Sequence, residues 1–143
     1  MKLTPDHHDA ELIIKYYDLR REPVMRASRV AMNQKFWPKT WEEFVAFTKA
    51  DHEINAAYRQ VSSYWEMVYG AAKWGVVHAD MLAEASGEGM FVFARVQPFL
   101  ERIRTEMSPT AFQNAEWMVR NSAVAKRQFT MFEARVKKTL ESR

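Results

Sequence analysis

The sequence predicts an all-α fold: a compact multi-helix bundle of six to eight helices with one long central helix. Three observations support this prediction. Apolar side chains recur with a period near 3.6 residues, no segment alternates polar and apolar residues, and turn-forming residues are scarce. The 143 residues include only four glycines and five prolines. A chain of this length is expected to form one core, so we expect a single helical domain over residues 1–143.

Short helices are predicted in the first third of the chain, where helix-start signals precede apolar periodic segments. Thr4-Pro5 predicts an N-cap followed by proline at the first helical position, and Pro23 predicts a second helix that opens on proline. Thr40 and Glu43 have the spacing of a capping box. The predicted helices lie near residues 6–20, 24–35 and 41–49.

The long central helix has the clearest apolar period. Large and small apolar side chains keep three-and-four spacing at Ile54, Ala57, Tyr58, Val61, Tyr64, Trp65, Val68, Ala71 and Ala72. The opposite side of this helix is polar, with Asn55, Arg59, Gln60, Ser62, Ser63 and Glu66. Gly75 follows the periodic segment and predicts a left-handed C-cap.

The last third of the chain continues the helical pattern. A short helix is predicted near residues 79–86, and Gly87 and Gly89 are expected to bracket a turn. A second apolar stripe contains Pro98, which should kink or break its helix. Ser108-Pro109 predicts the start of a helix over residues 109–120. The terminal helix carries a third stripe at Ala125, Phe129, Phe132, Val136 and Leu140.

Composition restricts the cellular setting and the chemistry. The chain contains no cysteine, which removes disulfides, thiolate metal sites and thiol nucleophiles and fits a reducing cytoplasm. No stretch approaches the roughly 18 apolar residues of a membrane span. The first residues lack the apolar segment of a secretion signal. The expectation is therefore a soluble, cytoplasmic protein without a membrane span.

Known catalytic and metal-binding motifs are absent from the sequence. The four histidines, His7, His8, His52 and His78, belong to no His-Glu-x-x-His motif and to no Glu-x-x-His pair. No nucleophile elbow, phosphate-binding loop or dinucleotide-binding glycine pattern occurs. The sequence therefore predicts no catalytic residue, no metal and no cofactor. It favours a non-enzymatic protein, although Arg59, Glu66 and His78 could still meet other residues in space.

The segment from Tyr58 to Tyr69 is the best candidate site, because amphipathic rings lie beside opposite charges on the long helix. The candidate ligand- or partner-binding residues are Tyr58, Arg59, Tyr64, Trp65 and Glu66. Such side chains could bind a small anionic or aromatic ligand, or anchor a protein partner. The alternative is structural: the rings belong to the core, and the charged side chains are solvated or bridge to a neighbouring helix.

Two basic clusters raise the question of nucleic-acid binding. The formal net charge is +3, and the isoelectric point is near 9.2. The first cluster contains Arg20, Arg21, Arg26, Arg29, Lys35 and Lys39, and the second contains Arg120, Lys126, Arg127, Arg135, Lys137, Lys138 and Arg143. If both clusters formed one surface, they could follow a phosphate backbone. Their spread around the predicted helices argues against nucleic acid as the partner.

Three segments of the middle of the chain resemble a known family. They are Arg59–Glu66, Lys73–Leu82 and Val96–Leu100, which hold an aromatic-aromatic-Glu helix end, a lysine-glycine turn and a proline-aromatic pair. This pattern is similar to that of an uncharacterised bacterial family of small all-helical domains, a domain of unknown function. The resemblance implies a helical fold and carries no activity with it.

These observations lead to three functional hypotheses. The first is a non-enzymatic protein-interaction or regulatory module that binds a protein partner, including itself as a homodimer, because Trp, Tyr, Phe, Met and Arg are enriched at interfaces. The second is a small-molecule-binding helical bundle with an aromatic, Arg- and Glu-lined pocket. The third, a basic nucleic-acid-binding protein, predicts an affinity that falls steeply with salt.

Overall fold

The computed structural model describes residues 1–143 and contains helices and turns but no strand. The helices are α1 (His7–Leu19), α2 (Pro23–Lys35), α3 (Trp41–Phe47), α4 (Asn55–Lys73), α5 (Ala79–Glu84), α6 (Gly87–Val96), α7 (Leu100–Glu106), α8 (Gln113–Asn121) and α9 (Ala123–Glu141). Eight of them have seven residues or more, and α5 has six. The predicted all-α class is confirmed.

Several predicted helix boundaries are confirmed by their capping contacts. Pro23 is the first residue of α2. The Thr40 side chain accepts a hydrogen bond from the Glu43 N–H and caps α3, but only this half of the predicted capping box forms, since the Glu43 carboxylate accepts from the Lys39 N–H. Gly75 has φ of 76° directly after α4, where a side chain would be strained. Pro98 lies in a single 3-10 turn, Gln97–Phe99, which separates α6 from α7.

Three other boundary predictions are wrong. Asp6, and not Thr4, caps α1, because the Asp6 and Asp9 side chains form a reciprocal capping box. Gly87 and Gly89 do not bracket a turn, since α6 begins at Gly87 and both glycines lie in its first turn. Ser108-Pro109 precedes a series of turns, and α8 starts only at Gln113.

The core is one cluster of 25 buried apolar residues, to which α4 and α6 contribute most. The predicted stripe of α4 is largely buried, with Val61, Trp65, Val68 and Ala72 all below 5% exposed. Seven of the ten residues of α6 are buried, so this helix is covered on nearly every side. A helix that is apolar around its circumference is stable only inside a protein, which explains the central position of α6.

The remaining helices cover these two. The α2 and α8 helices both pack against α4, and α9 packs against α6, α8 and α5. The α1 helix packs against α5, and its C-terminal end contacts α4 through Tyr16 and Tyr64. Arg20, the residue after α1, lies over the ring of Trp65. No helix of the structure is both long enough and apolar enough to cross a bilayer.

Candidate functional site

Two of the five predicted site residues, Tyr64 and Trp65, lie together on the side of α4 that contacts α1. Their rings meet edge to face, with 4.9 Å between centroids. Trp65 is 4% exposed, and its indole N–H donates a hydrogen bond to Glu88 Oε1 at 3.2 Å. The Tyr64 hydroxyl donates to the backbone oxygen of Tyr16. Trp65 is therefore a core residue with a polar contact to α6.

Glu88 connects this aromatic pair to α2. The Arg29 Nε lies 2.8 Å from both carboxylate oxygens of Glu88, and the Glu88 side chain is only 13% exposed. The hydrogen bond from Arg29 to Glu88 raises the pKa of the Arg29 guanidinium. An ion pair this far out of water, with Trp65 as a further donor, holds α2, α4 and α6 in one arrangement.

Arg20 completes the cluster without an acidic partner. Its guanidinium lies 5.1 Å from the ring centroid of Tyr17 and 5.4 Å from that of Trp65, so both rings stabilise the charge. Its Nε is buried and has no acceptor. Burial raises the pKa of the nearby Tyr64 to about 12, so this phenol stays protonated at neutral pH.

The other three predicted residues lie elsewhere on α4. Tyr58 packs in the aromatic core, stacked on Phe36 with 5.0 Å between ring centroids, and burial raises the pKa of Tyr58. Arg59 is exposed beside a shallow polar groove. Glu66 accepts hydrogen bonds from the backbone N–H groups of Asn114 and Ala115 at 3.1 and 2.8 Å.

Glu66 thus supplies, from α4, an anion for the N-terminus of α8. The carboxylate accepts hydrogen bonds from N–H groups that have no partner within the helix, and its negative charge interacts favourably with the helix dipole. Burial raises the pKa of Glu66 even though the two N–H donors favour its charged form. The five predicted residues therefore occupy four environments, and neither the cavity beside Trp65 nor the groove beside Arg59 is lined by all of them.

The cavity beside Tyr64 and Trp65 has room for a single water. It has a volume of about 10 Å³ and is lined mainly by apolar side chains, among them Ile13, Tyr16, Tyr64 and Trp65. Pockets for small molecules have volumes of roughly 300–1,000 Å³. The size of the cavity therefore disfavours a preformed ligand pocket at this place. No group of three or more metal-ligating side chains lies together either.

An exposed apolar surface lies at the C-terminal end of α4 and consists of Met67, Trp74 and Val76, which we call the α4-end patch. Trp74 is 80% exposed, and Met67 and Val76 are each 54% exposed. Met67 and Trp74 are seven residues apart, so their side chains leave the helix only about 20° apart. Both lie on the side of the helix that the sequence predicted to be polar. Two apolar residues seven positions apart on that side were the feature of the sequence that could have predicted this patch.

The chain matches the model of one protein family. The model of a protein family described as a domain of unknown function, DUF4760, matches residues 5–122. The chain belongs to the DUF4760 family. No curated protein and no solved structure matches it. The predicted resemblance to a domain of unknown function is thus confirmed, and the DUF4760 match extends well beyond the middle third that carried the resemblance.

The DUF4760 match covers α1 to α8 and ends at Ser122, the N-cap of α9. It includes the cluster of Arg20, Arg29, Trp65 and Glu88 as well as the α4-end patch. The contact between Arg29 and Glu88 was not predicted from the sequence, because the two residues are 59 positions apart and no local spacing rule relates them.

Proposed function

We propose that this DUF4760 protein is a non-enzymatic helical module that binds protein through the α4-end patch, with a second copy of the chain as the partner. The observation that carries the proposal is the exposure of Trp74, a residue type that concentrates binding energy at interfaces. Met67 and Val76 supply apolar contact area around it. The narrow cavity beside Trp65 supports protein binding over small-molecule binding.

The buried area limits how tight such a dimer can be. A tryptophan side chain buries 150–250 Å², so covering one that is 80% exposed contributes on the order of 3–5 kcal/mol. In a two-fold symmetric dimer both copies bury Trp74, so this contribution is doubled. Association costs roughly 4–15 kcal/mol in lost freedom of motion. We therefore expect a weak, reversible dimer and not an obligate one.

Light scattering coupled to gel filtration over a range of loading concentrations tests the proposal. We expect the average mass to rise from monomer towards dimer as the concentration increases. Trp74→Ala should weaken the dimer by at least about tenfold, because it removes the largest apolar contact. The matched control is Met131→Ala, which shortens a side chain that is 58% exposed on α9. It should leave the dissociation constant unchanged.

Two results would count against the proposal. A wild-type chain that stays monomeric at millimolar concentration would exclude the homodimer. Equal weakening by Trp74→Ala and Met131→Ala would show that association follows surface hydrophobicity in general and not the α4-end patch. Circular dichroism of both variants should match the wild type, since neither side chain belongs to the core.

A further inference from the structure

Three arginines and two aromatic rings alternate near the C-terminal end of α2, in the order Arg143, Trp37, Arg95, Phe91, Arg135. We call these five residues the arginine ladder. The Cζ atoms of Arg143 and Arg95 lie 4.8 and 5.2 Å from the centroid of the Trp37 ring. Those of Arg95 and Arg135 lie 4.6 and 5.1 Å from the Phe91 centroid. The two rings meet edge to face, with 5.6 Å between centroids.

The central arginine is a fixed, buried positive charge. Arg95 is 2% exposed, and its Nη1 donates to the backbone oxygens of Met32 and Phe36 at 2.7 and 3.0 Å. Its Nη2 is buried and has no acceptor. The α2 carbonyls and the ring faces stabilise the cation only in part, because a buried guanidinium is normally paired with an anion.

The outer arginines are exposed and equally without an acidic partner. None of the eight ion pairs of the chain includes Arg95, Arg135 or Arg143. Other arginines of the protein do find carboxylates, such as Arg29 with Glu88 and Arg102 with Glu106. The arginine ladder therefore concentrates three positive charges, none of which forms an ion pair within the chain.

We propose that the exposed side of the arginine ladder binds an acidic segment of a partner protein. Exposed guanidinium groups can form bidentate hydrogen bonds with carboxylates. The half-buried rings of Trp37 and Phe91 provide apolar contact area beside them. Five cavities of the chain, among them the one beside Trp65, are lined by other residues, so none of these makes a pocket for a small anion here. An open surface fits an extended peptide better.

The arrangement of the other basic residues favours protein over nucleic acid. The two basic clusters of the sequence meet where Lys39 Nζ donates to the backbone oxygen of Arg143. However, Lys137 is about 160° from Arg135 around α9, so it faces away from the arginine ladder. A phosphate backbone needs a continuous row of cations, whereas a few neighbouring carboxylates need only this group.

This surface goes beyond the proposed self-association, because it lies on α6, on α9 and on the residues that follow α2 and α9, and it shares no residue with the α4-end patch. The test uses a fluorescent oligoglutamate peptide of about ten residues, with binding followed by anisotropy at low salt, where such pairing is least screened. The double variant Arg135→Gln/Arg143→Gln should bind at least about tenfold more weakly. The single variant Arg135→Gln should give an intermediate loss.

The matched control is Lys126→Gln/Lys137→Gln, which makes the same charge change at two exposed positions of α9 that face away from Arg135. It should alter the affinity by less than about twofold, apart from the small change in net charge. Thermal melts establish that each variant is folded. The three outcomes that overturn the proposal are no binding by the wild type, equal losses in both double variants, and tighter binding of a thymidine oligonucleotide of matched charge.

Discussion

Gly89 shows how closely two helices approach at a single residue. It lies in the first turn of α6, and a Cβ atom there would be 2.2 Å from the hydroxyl oxygen of Tyr69 and 2.5 Å from its Cζ. Tyr69 is fully buried, and its hydroxyl donates to the Ser86 oxygen at 2.6 Å. The ring therefore cannot move aside without losing this hydrogen bond or entering the packed core.

We expect Gly89→Ala to destabilise the protein by about 2 kcal/mol. Alanine should favour the helix by about 1 kcal/mol, but overpacking costs about 1–3 kcal/mol and a lost buried hydrogen bond adds about 1 kcal/mol or more. Urea unfolding measures the difference. Gly87→Ala is the control, since its Cβ would meet no atom closer than 3.6 Å. A variant at Gly89 as stable as the one at Gly87 would contradict this account.

At the same scale, the sequence predicted which residues are buried better than it predicted which residues contact each other. The period of α4 correctly placed Trp65 and Val68 in the core, because periodicity reports which side of a helix faces inward. It could not show that Trp65 donates to Glu88, or that Glu66 binds the start of α8. Those contacts depend on how distant helices cross, which no local spacing specifies.

At the scale of helices, a single buried carboxylate links α1 to the N-terminal residues and to the start of α5. Asp9 is the only buried residue of α1. Its side chain accepts hydrogen bonds from the backbone N–H groups of Asp6 and His78, each at 2.7 Å, and pairs with Lys2 Nζ at 2.8 Å. These contacts join the N-terminal residues, α1 and the start of α5. The sequence suggested Thr4 as the cap because proline follows it, although the equally local spacing of Asp6 and Asp9 also fits a capping box.

Acid should loosen this attachment. Burial alone would raise the pKa of Asp9, but the Lys2 ammonium and the two N–H donors outweigh burial and lower the pKa to about 2. Because the pKa of Asp9 in the folded protein lies below its ordinary value of 3.8, the ionised carboxylate stabilises the fold above about pH 4. That contribution should be lost as the pH falls from about 4 through 2.

Asp9→Asn tests the role of this carboxylate. We expect a loss of about 2–3 kcal/mol at neutral pH, as is usual for hydrogen bonds to a charged group, and a smaller decrease in stability between pH 4 and 2 than in the wild type. The measurement is urea unfolding at a series of pH values. Asp18→Asn makes the same charge change at an exposed position of α1 and should reproduce the wild-type pH profile.

At the scale of the whole molecule, the end of the DUF4760 match does not coincide with the edge of the packed structure. The match ends at residue 122, yet α9 packs against α5, α6 and α8. Ala125 of α9 belongs to the core cluster, and the rings of Phe129 and Phe132 pack against it. The apolar period of the terminal helix predicted this contact correctly, because an amphipathic helix is stable only against another apolar surface.

A fragment of residues 1–122 should therefore lose cooperative folding. Burial of an apolar side chain contributes about 1.5–3 kcal/mol, so removing Ala125, Phe129, Phe132 and Val136 costs on the order of 5 kcal/mol, comparable to the whole stability of many domains. The buried helix α6 would also be exposed along one side. We expect a broad urea transition with a reduced m-value and binding of a hydrophobic dye. If the fragment instead unfolded sharply at the urea midpoint of the wild type, α9 would not contribute to stability, and the core would be complete without it.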